Sequence, residues 1–217
     1  MSRVPRCFFT SVATGLLLAA SLAYAVPAGA GSAPWLRPKA DYMARTVMEA
    51  DGEKITGRVW ASGAKERREL VVSGRRHTVI VRKDRGVTWI LMPQQRMYLE
   101  QSLGDGGLVQ DRFEGGELAR EAQSREAVHG ASATRYRVHG TTSEGEAFEA
   151  LMWMTEQEIP VRVVTGEGRS RVHMELRDLS VGAIDARRFE VPRGFTRFEL
   201  PAAAKADLEA LRERKPR

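Results

Sequence analysis

The residue types that most often do chemistry are few in this chain and widely spaced. His77, His129, His139 and His173 stand singly in hairpin or strand contexts. They lack the close pairing with which a zinc-binding helix presents two imidazoles to one metal, and each reads as a solvated or core-edge side chain. Ser73, Ser143 and Ser170 fall in turns without a nucleophile-elbow pattern. Gly104-Asp105-Gly106-Gly107 has neither the strand-to-helix context nor the lysine of a phosphate loop. Carboxylates are plentiful, yet no spacing brings two particular ones to the separation a glycosidase uses. The expectation is a protein that is not an enzyme and carries no cofactor and no metal.

The first residues are a targeting signal. Arg3 and Arg6 precede an apolar run from Cys7 through Leu18 that ends in Ala23-Tyr24-Ala25, the order of a secretory leader. The run is short for a membrane span, and no other segment approaches the ~18 apolar residues one needs. The mature chain is expected to begin at Val26 as a soluble, periplasmic protein with no transmembrane anchor. Cys7, the only cysteine, sits ahead of most of the apolar run and is badly placed to become a lipidated first residue. With the leader gone the chain has no cysteine, which excludes disulfides and thiolate metal sites. Stability must then come from an ordinary core, for which about 190 residues suffice.

Charge narrows the partners. Removing Arg3 and Arg6 leaves 32 of the 34 basic residues against 28 acidic ones, a net +4. Arginines alternate with glutamates (Glu66-Arg67-Arg68-Glu69, Arg120-Glu121, Arg125-Glu126), the texture of a mixed solvated surface and not of a nucleic-acid stripe. Arg75-Arg76-His77 is the densest basic spot; following Gly74, it reads as a solvated hairpin tip.

The elements follow from turn residues. Residues 26–40 are a flexible lead-in rich in Pro, Gly, Ala and Ser. Beyond them, short runs of β-branched and aromatic residues recur near 41–49, 55–61, 66–72, 77–83, 87–92, 96–100, 133–139, 146–154, 160–165 and 169–179. Glycine-bearing separators such as Asp51-Gly52, Ser62-Gly63, Ser73-Gly74 and Asp84-Arg85-Gly86 lie between them. Strands joined this closely are antiparallel, so the chain reads as a meander of about ten strands. Residues 104–127 suggest a mobile loop and a short helix through Glu117–Ala122. The tail 201–217 suggests a charged helix with a thin stripe of Leu208 and Leu211.

Two strands are apolar on both faces. Val87, Trp89 and Leu91 oppose Thr88, Ile90 and Met92, and Phe148, Met152 and Met154 oppose Leu151 and Trp153. A strongly curved sheet whose hollow is lined by adaptable apolar side chains accounts for this. The candidate lining is Trp60, Trp89, Leu91, Met92, Tyr98, Phe148, Met152, Trp153 and Met154. The plainer alternative is that Met92, Met97, Met152 and Met154 fill a core.

The same residues carry a family resemblance. Asp51-Gly52, residues 63–69, Arg82-Lys83-Asp84, residues 87–93, Met97-Tyr98, Ile159-Pro160-Val161, Val181-Gly182-Ala183 and residues 189–195 together resemble an uncharacterised exported domain family within the LolA/LolB lipoprotein-sorting superfamily, over roughly 41–200. The resemblance implies a mainly β fold, an unclosed antiparallel β-barrel with a helical lid over an apolar cavity. The superfamily's carriers hold lipoprotein acyl chains in that cavity, and its sensors bind polypeptides instead. Lacking a lipidated cysteine, this chain resembles the soluble carriers. The arginine with which carriers latch the lid has no clear match, and Arg45 and Arg68 are guesses. The resulting expectation is a periplasmic carrier or chaperone for a lipid or lipoprotein acyl chain. Its rivals are a module binding an envelope protein and a purely structural protein with a filled core.

Overall fold

The computed structural model describes residues 37–50, 52–103, 117–141, 147–166 and 171–199. Twelve strands form one sheet: β1 (Tyr42–Ala50), β2 (Glu53–Ser62), β3 (Lys65–Val72), β4 (Arg75–Arg82), β5 (Val87–Met92), β6 (Met97–Ser102), β7 (Glu117–Val128), β8 (Ala131–Thr141), β9 (Ala147–Met154), β10 (Pro160–Thr165), β11 (Val172–Val181) and β12 (Thr196–Phe198). The spatial order is β12-β6-β5-β4-β3-β2-β1-β11-β10-β9-β8-β7. Two meanders, β1–β6 and β7–β11, thus join where β1 pairs with β11, and the sheet curves without closing. Its pairs are antiparallel apart from β12 beside β6.

The turn chemistry is as the sequence suggests. At the β3–β4 hairpin, Ser73 and Gly74 both adopt positive φ, 47° and 77°, the two-residue turn whose twist matches the strands. Gly57 serves a different need. A Cβ there would lie 2.1 Å from the carbonyl oxygen of Glu69, so β2 and β3 pair closely only because that position has no side chain.

Register divides the side chains cleanly. One face carries Tyr42, Ala44, Met48, Ile55, Val59, Ala61, Leu70, Val138, Ala150, Met152, Met154, Val163, Met174 and Leu176, all buried in the main core; we call it the core face. The other, the charged face, carries Arg45, Arg58, Glu69, Arg162, Glu175 and Arg177 along the same strands. On β1 the alternation runs without interruption: Tyr42, Ala44, Thr46, Met48 and Ala50 are buried, and none of the residues between them is.

Two expectations change. Residues 117–122 are not helical but belong to the edge strand β7, and no α-helix occurs among the described residues. The composition ELAREAQSREAV favours a helix, but pairing with β8 along the whole run overrides it. Arg120 then grips Glu158 with two hydrogen bonds (2.7 and 3.0 Å) and stacks on Tyr136 at 4.5 Å. A register shift at Ala122/Ser124 and the row of charges suit an edge strand, which must discourage pairing with other chains. The second concerns the expected lid. Among the described residues no helix covers the sheet; a strap of residues 182–195 with one 3-10 turn, Ala186–Phe189, crosses the charged face of β2–β6. The leader, most of the lead-in, the 104–116 loop and the helix expected from Pro201 lie outside the described residues.

Candidate functional site

The predicted cavity residues separate by the parity of the sheet. Trp60, Trp89, Leu91 and Tyr98 share the charged face at its β2–β6 end and gather in one cluster with Ile80. Met92, Phe148, Met152 and Met154 belong to the core face, where Met152 and Met154 are almost fully buried. Trp153 stands on the charged face of β9, flanked by Arg135 and Arg162 with guanidinium-to-ring distances of 5.7 and 5.2 Å.

The space beside Trp89 and Leu91 is occupied by the chain itself. Phe189, fully buried, packs into the cluster of Trp60, Ile80, Trp89 and Leu91, with Ile184, Val191 and Phe195 around it. This is what covers the second apolar face of β5. Trp89 Nε1 donates to Glu100 Oε2 at 2.9 Å, and its ring meets Tyr98 edge-on, so the indole's polar atom is satisfied.

An arginine clasps this strap, and it is neither of those guessed. Arg82, with only 5% of its side chain exposed, donates twice to Asp84 (2.8 and 2.7 Å), to Glu190 Oε1 at 2.5 Å and to the Phe189 carbonyl at 3.2 Å, beneath Trp89. Those bonds hold the Asp84 carboxyl below the usual carboxylate range. Arg67 adds a bond to the Arg188 carbonyl at 3.1 Å, and Arg188 stacks on Trp60. Arg45 instead pairs with Asp178 on the charged face, and Arg68 with Glu66 on the core face. Arg82 carried a signal in the sequence: a charge ending the apolar run Thr78–Val81.

Next to the strap, the charged face of β11 and β1–β5 forms an open groove of ≈ 1470 Å³. Its floor includes Val47, Thr56, Val71, Thr78 and Leu91, and the turns at Gly74 and Pro93–Gln95 form part of its wall. Six arginines line it (Arg45, Arg58, Arg67, Arg75, Arg76 and Arg177) against one carboxylate, Glu69. Arg177, Arg45 and Arg58 are direct cross-strand neighbours. Burial first, and then the charge of Arg75, hold His77 below the usual imidazole value. None of the predicted lining except Leu91 and Met92 touches this groove; it is built from residues that read as ordinary solvated charge.

Beside the groove, Glu175 is buried among two arginines and two histidines. His129 Nε2 lies 2.7 Å from it, Arg162 Nε 2.9 Å, Arg177 Nη2 3.2 Å and His173 Nε2 3.3 Å. Burial pushes its carboxyl up, but hydrogen bonds from His129 and Arg177 and the charge of Arg162 outweigh that and hold it at about 2. Among the described residues no group of three or more His, Cys, Asp or Glu is placed to hold a metal, and no helix is long and apolar enough to cross a membrane. What the arrangement offers chemically is cationic and hydrogen-bonding recognition along an elongated surface.

No protein-family model and no curated protein matches the chain. Similar solved structures include an uncharacterised conserved protein from Thermus thermophilus, with 9% identity over 86% of this chain and 98% of that one, at a TM-score of 0.51. A Pseudomonas aeruginosa MucA/MucB complex is matched with 16% identity over 71% of this chain and 56% of that chain, at 0.47. A LolA superfamily protein from Nitrosomonas europaea is matched with 10% identity over 70% and 91%, at 0.38. A member of the superfamily that the sequence motifs resemble is thus among them. At such identities the likeness concerns the fold.

Proposed function

We propose that this protein is an exported binding module that holds a polypeptide in the groove across the charged face of its sheet. The observation that carries this reading is that the apolar surface an acyl chain would need, at Trp60, Trp89 and Leu91, is filled by Phe189, while the adjoining groove stands open over six strands. Carriage of a lipid beside Trp89 would require the strap to leave, breaking the Arg82 clasp and exposing Phe189. The leader read in residues 1–25 accounts for export.

The test is a photo-crosslinking amino acid placed at Thr56, exposed in the groove, and separately at Thr141, exposed at the far end of β8. In cell envelopes of the native host, one discrete polypeptide adduct at Thr56 that survives delipidation and is absent at Thr141 supports the reading. Stoichiometric copurified lipid, with no adduct specific to Thr56, overturns it in favour of a carrier.

A further inference from the structure

We propose that the partner segment is acidic, and that its carboxylates are received by the row Arg177, Arg45 and Arg58. This rests on the reading above and names the chemistry of the ligand. Three guanidiniums at consecutive register positions stand roughly 5 Å apart at their Cβ atoms, and like charges directly opposite each other destabilise a sheet. The repulsion within that row is unfavourable to folding, and an incoming anion would relieve it.

The local pairing leaves the row short of negative charge. Arg45 has Asp178 beside it, but both side chains are more than half exposed, a geometry that contributes little and exchanges readily. Arg177 shares the buried Glu175 with Arg162 and two imidazoles, His129 and His173, and its Nε has no acceptor. Arg58 is exposed and has no ion pair among the described residues, since Glu69, directly opposite it on β3, is bonded to Arg67; Arg75 and Arg76 at the hairpin tip have no ion pair there either.

Size and lining select the class of anion. Six adjacent strands at ~4.8 Å spacing give the groove a length of about 24 Å, too long for a single phosphate or headgroup and enough for roughly seven residues of extended chain. A volume of ≈ 1470 Å³ also exceeds the ~300–1,000 Å³ typical of small-molecule pockets. No Phe, Tyr or Trp lines it, so the stacking platform that single-stranded nucleic acid uses is missing. Val47, Val71 and Leu91 between the cations instead suit apolar side chains interspersed with acidic ones.

The experiment measures fluorescence anisotropy of the full protein with a labelled peptide of about twelve residues alternating Glu with Leu and Val. Its Gln-for-Glu and Lys-for-Glu analogues, a labelled oligothymidine and dodecyl phosphate are run alongside. The expected result is saturable, salt-sensitive binding of the acidic peptide. Arg58→Glu or Arg76→Glu should weaken it about tenfold or more, the scale of one lost charge-assisted contact. Arg58→Glu should in turn gain affinity for the Lys analogue, while circular dichroism and melting stay unchanged. Equal binding of the Gln analogue, or no effect of either substitution, overturns the acidic preference and leaves polypeptide binding intact. Binding of dodecyl phosphate with no peptide bound overturns both readings, and tighter binding of the oligothymidine overturns the choice of polypeptide.

Discussion

Replacing Phe189 by alanine tests whether the strap is part of the folded domain. Phe189 is fully buried against Trp60, Ile80, Trp89 and Leu91, and Lys65 stands 5.6 Å from its ring centroid. Truncating a phenylalanine in such a setting costs about 3–5 kcal/mol, the lost transfer energy plus the cavity left behind. For a domain of this size the midpoint falls by about 2–4 °C for each kcal/mol, so thermal unfolding should shift down by about 10 °C. The hole would be apolar and dry, and such holes take small aromatic guests. Benzene should therefore raise the melting point of Phe189→Ala while leaving the parent unchanged. Differential scanning calorimetry reads both effects. A shift below about 2 °C, or no recovery with benzene, would refute the claim that this side chain plugs the apolar face of β5.

Three further outcomes follow from the same geometry. Arg82→Met removes the clasp while keeping some apolar bulk; because Asp84 and Glu190 remain partly open to water, the loss should be about 2 kcal/mol in urea unfolding, with faster proteolysis within 182–195. Gly57→Ala forces a Cβ against the Glu69 carbonyl and should cost about 1–3 kcal/mol by chemical denaturation, whereas Gly63→Ala, whose Cβ meets nothing within 4 Å but whose φ is +55°, should cost less. Glu175 has a folded value of about 2 against an unfolded one near 4.5. Its contribution, at most about 3 kcal/mol, is present above pH ~5 and fades as pH falls toward 2. Glu175→Gln should flatten the stability profile between those limits; an unchanged acid limb would contradict the assignment.

Much of the fold was legible because it is written locally. Ser73-Gly74 and its counterparts mark hairpins, and the alternation on β1 gives its buried face directly. The strand β7 was not legible, because Ala, Glu and Arg are helix formers and an edge strand needs little apolar alternation; its pairing with β8 is a tertiary fact. The two-sided character of β5 was readable, but what covers it was not. Phe189 lies about a hundred residues away, in a segment with few regular elements. The cavity lining failed to assemble as one surface for a related reason: Trp89 and Met152 fall on opposite faces, and that depends on register carried through the intervening strands. The groove was the least visible part. Arg45, Arg58 and Arg177 are ordinary in sequence and become unusual only when β1 pairs with β2 on one side and β11 on the other.

Hydrogen–deuterium exchange of the full protein, with the acidic peptide in one arm and a fatty acid in the other, addresses the central claim most directly. The account predicts slowed exchange at 45–47, 56–58 and 69–71 with the peptide, no change in the strap 182–195, and no response to the fatty acid. Protection by the fatty acid around Trp89 with accelerated exchange in the strap would contradict it, since the strap would then be a lid over cargo and not a filled part of the core.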